Sequence, residues 1–130
     1  MLVGLSGVAS AQSAGAQAEV LFRDGRKLMG EGKYAEACAA LEESQKLEAA
    51  TTTLLNLASC REKLGQLATA WGLFLEAERQ TRSASDAPSV KLHEVAQAHA
   101  SALESRVSKL EINVPDKSRI DHLSITRDKQ

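Results

Sequence analysis

The chain has 130 residues, enough for one domain whose core folds alone. Its net charge is -1 and no block of lysine or arginine occurs, which excludes a nucleic-acid binder that works by neutralising phosphates. Ala, Leu, Glu, Lys, Gln and Arg dominate and there are only two prolines, which favours helix; aromatic content is low at 3%, and no apolar run is long enough to span a bilayer as a mature segment.

Taken in order, residues 1–11 place Leu2, Val3, Leu5 and Val8 before the small-x-small triplet Ala9-Ser10-Ala11. This stretch resembles the back half of a secretory signal peptide cut before Gln12. The basic leading segment is missing, so the true start would lie upstream. The alternative is an Ala/Gly/Ser tail. Residues 12–17 read as a small-residue lead-in.

A first helix is expected over Ala18–Gly30, with Leu21, Gly25, Leu28 and Met29 on one stripe. A second is expected over Tyr34–Leu47, with Ala37, Leu41 and Ser44 turned to the first. Thr51, Thr52 and Thr53 are candidates to cap a third, which shows Leu57, Cys60 and Leu64 on one side and Leu54 and Ala58 beside them. A fourth opens near Leu67 and carries Ala70, Phe74 and Ala77. Trp71, next to Ala70, is expected to cover the following helix. Asp86 can cap a fifth helix, with Pro88 in its first turn. That helix is expected over 89–109, with Leu92, Val95, Ala96, His99, Leu103, Val107 and Leu110 inward, as a capping element. From Leu110 the period changes to two. Leu110, Ile112 and Val114, then Leu123 and Ile125, read as a short β-hairpin stub.

A shift of 33 residues superposes the first two hairpins. Leu21 falls on Leu54, Gly25 on Ala58, Gly32 on Gly65, Tyr34 on Leu67, Ala37 on Ala70, Leu41 on Phe74 and Ser44 on Ala77. A fixed period of this length marks a stacked helix-turn-helix repeat. The alternative is an ordinary helical bundle. Over residues 18–82 the chain resembles the tetratricopeptide repeat. It departs where the family closes each repeat with proline, and at Arg61, where a large apolar residue is common. The resemblance implies an all-α stack of two antiparallel repeats plus a capping helix over 18–109. Residues 110–130 would then begin a β-rich module. A signal, a few such repeats and such a strand together look like bacterial envelope proteins leading into a PEGA-type β-domain.

The resemblance also implies that the first helix of each repeat lines a concave face. Here that face would show Glu19, Phe22, Arg26 and Met29, then Thr52, Leu55, Asn56, Ser59, Glu62 and Lys63. Asn56 matches an asparagine that some members use to hold a peptide carboxylate. Those members carry Lys and Asn where Phe22 and Arg26 stand, so that clamp is incomplete. Phe22, Met29 and Leu55 suit an apolar peptide anchor instead.

Cys38 and Cys60 stand at similar distances before and after the turn at Ala49 and Ala50, on facing helices. In an oxidising compartment they can form a disulfide; otherwise they are small buried residues. No Cys-x-x-Cys occurs. His93-Glu94 lacks the second histidine of a zinc-protease helix, because Gln97 stands there. His99 is expected as a core histidine. No phosphate loop or nucleophile elbow appears. The expectation is a non-catalytic scaffold of the bacterial envelope with a protein or peptide partner and neither cofactor nor metal. The alternative is a structural spacer that presents a C-terminal β-domain.

Overall fold

The computed structural model describes residues 13–109 in full; helix bounds beyond that span are those of the backbone alone. Five helices follow one another: α1 (Leu2–Gly30), α2 (Tyr34–Leu47), α3 (Thr51–Lys63), α4 (Leu67–Thr81) and α5 (Ala87–His122). Each packs chiefly on its chain neighbours as antiparallel helix-turn-helix pairs, and α3 also touches α1 and α5. The described residues are therefore all-α. The hairpin stub expected over 110–130 and the signal remnant over 1–11 lie outside the described residues.

The 33-residue period reappears in the backbone. Gly32 and Gly65 hold φ at 79° and 81°, a region open to glycine at little cost. Around them the same two hydrogen bonds recur. Gly32 N–H donates to the Met29 carbonyl and Lys33 N–H to that of Leu28; Gly65 N–H donates to Glu62 and Gln66 N–H to Arg61. These satisfy carbonyls orphaned at the ends of α1 and α3 and turn the chain back on itself.

Two apolar clusters meet at α3. One holds Ala37, Cys38, Leu41, Leu57 and Cys60, with Phe22, Leu28, Met29 and Tyr34 against it. The other holds Leu54, Leu55, Ala58, Ala70, Phe74 and Ala77 with Ala96, Ala100 and Leu103 of α5; Leu67 and Trp71 cover its edge. Of the expected packing residues, Gly25, Ala37, Leu41, Leu54, Ala58, Ala70, Phe74 and Ala77 are buried, Leu21, Tyr34 and Leu67 are half-buried, and the turn glycines Gly32 and Gly65 are exposed. Small residues set the helix spacing. Gly25 lies so close to α2 that a Cβ there would stand 2.6 Å from Leu41 Cγ. Leu41 is fully buried and has nowhere to retreat. Gly25→Ala gains about 0.5–1 kcal/mol of helix propensity but overpacks a closed site at about 1–3 kcal/mol. A net loss of about 1 kcal/mol is expected in urea unfolding, whereas the same change at exposed Gly72 should stabilise.

Several expectations need correction. Helix α1 already includes residues 13–17, because alanine favours helix and Ser13, Ala16 and Gln17 find support beside Leu47 of α2. None of the three threonines caps α3. Ala50 takes the cap position without a side-chain bond, and the Thr51 hydroxyl instead donates to Gln80 Oε1 at 2.9 Å. Helix α5 starts two residues early, at Ala87. Asp86 does cap it: Ser89 N–H donates to Asp86 Oδ2 at 3.0 Å, and these bonds from Ser89 hold the Asp86 carboxyl below its ordinary pKa. His99 is no core histidine. It stands half-exposed, stacked on Phe74 with ring centroids 4.7 Å apart. Ala100 takes the core position instead, so that Ala96, Ala100, Leu103 and Val107 face inward and Val95 is 37% exposed.

Candidate functional site

Because α1 touches α3 and α3 touches α5, these three helices form one layer, with α2 and α4 behind. Two polar links and a covalent one fix the layer. Ser44, buried in α2, donates to the Ala18 carbonyl at 2.8 Å and pins α1. Cys38 and Cys60 form a disulfide between α2 and α3, with Cα atoms 5.6 Å apart and both residues buried. Arg61, where the repeat pattern would carry an apolar residue, bridges Glu42 of α2 at 2.9 Å and Gln66 of the following turn at 3.1 Å.

The open side of the layer carries most of the expected partner-binding residues. On α1, Phe22 and Met29 are half-buried against the disulfide cluster, and the Arg26 guanidinium lies 5.8 Å above the Phe22 ring. On α3, Asn56 and Ser59 are half-exposed and Lys63 is exposed. Asn56 Nδ2 donates to the Thr52 carbonyl at 2.8 Å. That leaves its amide oxygen and second N–H without a bond among the described residues. Leu55 does not belong to this surface. It is 7% exposed, covered by α5 within the second cluster.

Helix α5 supplies a third wall beyond the expected face. Helix α5 was expected only as a cap, yet its flank adjoins α3. Glu62 Oε2 accepts from Arg106 Nη1 at 3.0 Å, and Glu62 Oε1 lies 3.9 Å from His99 Nδ1. Val95, His99 and Arg106 therefore continue the face begun by α1 and α3. The signal was present: these positions flank the buried Ala96-Ala100-Leu103 stripe at helical spacing.

The charge on the face is uneven. Glu19 pairs with Arg23, and Glu62 with Arg106. Among the described residues, Arg26 and Lys63 have no carboxylate partner. Beside Phe22 a cavity of about 240 Å³ opens between α1 and the start of α3. Among the described residues, no three His, Cys, Asp or Glu side chains are grouped to hold a metal, and no helix is long and apolar enough to cross a membrane. No family model, no curated protein and no solved structure matches the chain.

Proposed function

We propose that the chain is a tetratricopeptide-type stack of the bacterial envelope that binds a peptide or partner domain on the α1/α3/α5 face and carries out no reaction itself. One observation carries this reading. Phe22 and Arg26 on α1 and Asn56, Ser59 and Lys63 on α3 stand on adjoining helices, and Arg26, Asn56 and Lys63 keep bonding capacity that the described residues do not use. The half-buried ring supplies an apolar anchor, Asn56 can read a peptide amide, and the two unpaired cations favour an acidic or carboxylate group nearby. The buried disulfide supports export, since such bonds persist in oxidising compartments.

The test is a crosslinking pull-down from envelope extract with wild type and with Phe22→Ala plus Asn56→Ala. Removal of the anchor and the amide is expected to cost about 2–4 kcal/mol, enough to lose the partner from the double variant. A thermal melt of both proteins controls for folding. A partner kept at full yield by the folded double variant contradicts the reading, and no partner at all favours a spacer.

A further inference from the structure

The two walls of the groove belong to different halves of the fold. Helix α1 is held to α2: Ser44 donates to the Ala18 carbonyl at 2.8 Å, and Gly25 lies against Leu41. Helix α3 is held to α4 and α5. Thr51 donates to Gln80, Glu62 accepts from Arg106, and Leu54, Leu55 and Ala58 share one apolar cluster with both helices. Phe22 and Arg26 therefore move with one half, and Asn56, Ser59 and Lys63 with the other.

The joint between the halves is thin. Of the four sequential helix pairs, α2 and α3 touch least, and α1 meets α3 only slightly. The buried contacts across it are those of Leu57 and Cys60 with Ala37, Cys38 and Leu41. No buried residue belongs to both apolar clusters, although half-buried Leu73 of α4 touches each. The connection Glu48-Ala49-Ala50 is exposed and extended, with φ at -153° for Glu48 and -151° for Ala50. Such a short segment is enough to absorb a hinge rotation. The cavity of about 240 Å³ lined by Ala18, Phe22, Ala50 and Thr53 opens at this joint, so part of it lacks packing contacts. The Arg61–Glu42 pair crosses the joint, but it is partly exposed and weak in water. The Cys38–Cys60 bond crosses it covalently.

We propose that the Cys38–Cys60 bond is a redox-dependent lock on the width of the α1/α3 groove. Oxidised, it holds the two walls at one spacing. Reduced, the halves turn about residues 48–50 and the spacing is no longer single. The reductant is a dithiol. Its two thiols close to a disulfide, while two electrons and two protons pass to the Cys38 and Cys60 sulfurs. Those cysteines are 1% and 0% exposed, so the exchange requires the joint to open, and the folded oxidised chain keeps its lock. The consequence for binding rests on the groove reading; the lock itself is measured without a partner.

The test measures distances between nitroxides carried on p-acetylphenylalanine, which leaves the native cysteines untouched. Labels at Asp24 and Lys63 span the joint, and labels at Asp24 and Lys46 lie within the α1/α2 half; all three positions are exposed. The oxidised full chain is compared with the chain refolded in excess dithiothreitol, with Cys38→Ala plus Cys60→Ala, and with Cys38→Ala plus Cys60→Val, which refills much of the lost volume. The oxidised chain is expected to give one narrow distance for each pair. The other three should broaden the Asp24–Lys63 distance by roughly 5 Å, the scale of a one-turn displacement between packed elements, and leave Asp24–Lys46 narrow. An unchanged Asp24–Lys63 distance overturns the lock. Broadening of both pairs also overturns it, because the bond would then hold the fold rather than the groove. Unchanged distances, with the envelope partner still lost in the Phe22/Asn56 variant, remove the lock and leave the groove standing. A broadened Asp24–Lys63 distance with no partner captured removes the groove reading and leaves the lock.

Discussion

Phe74→Ala is expected to cost about 4 kcal/mol, the upper part of the range for deleting a buried aromatic side chain. Among the described residues Phe74 is the largest fully buried side chain, within the cluster that joins α3, α4 and α5. Alanine there leaves a void under Ala96, Ala100 and Leu103 and takes away the ring on which His99 stacks. The damage should be local at first. Stacked repeats hold chiefly to their neighbours, so the α4–α5 end should open before α1 and α2. Hydrogen exchange is the measurement. Amides of α4 and α5 should lose protection by several orders of magnitude while those of α2 keep theirs. Uniform loss across all five helices would show a single cooperative core rather than a stack. Phe74→Leu, which refills most of the volume, should recover most of the stability.

Removal of the disulfide by Cys38→Ala with Cys60→Ala is expected to cost about 3 kcal/mol in the chain-entropy account of a loop this long. The bond spans 22 residues and joins the second helix of one repeat to the first helix of the next. Besides the main chain through residues 48–50, that boundary is held by contacts that include the Arg61–Glu42 pair and the buried residues Ala37 and Leu57. Thermal unfolding with and without a phosphine reductant reads the effect. Reductant should lower the midpoint of the wild type by roughly 10–20 °C, at several degrees per kcal/mol for a domain of this size, and leave the double variant unmoved. Equal midpoints for oxidised wild type and variant would show that the bond is dispensable. Both sulfurs are buried, so reduction should require opening of the α2–α3 pair and be slow below the transition.

Much of this architecture was legible because it repeats. The pairs Gly32/Gly65, Ala37/Ala70 and Leu41/Phe74 each impose one geometric demand, and the same demand twice at one spacing is hard to produce by other means. The start of α2 at Tyr34 and of α4 at Leu67 followed from the glycine turns. The Cys38–Cys60 pairing followed from equal distances to one turn.

The misses have a common cause: they depend on which neighbour covers a residue, which local pattern does not state. Thr51 looks like a cap, but Gln80 of α4, 29 residues away, takes its hydroxyl. His99 lies one position off the buried stripe, and the Phe74 ring below it gave no local sign. Leu55 reads as a groove residue until α5 is laid over it. The same helix adds Val95, His99 and Arg106 to the face, which two repeats alone would leave short. Arg61, an apparent break in the repeat, becomes a tie between two helices once Glu42 is placed opposite.

The most direct measurement of the central claim places a photoreactive benzoyl-phenylalanine at single positions and maps what it captures in the envelope. Asn56 and Ser59 report on the α1/α3/α5 face; exposed Thr69 of α4 reports on the opposite side. The account predicts one shared adduct from Asn56 and Ser59, lost on addition of unlabelled protein, and none from Thr69. An adduct from Thr69 alone would put the working surface on the α2/α4 side and contradict it.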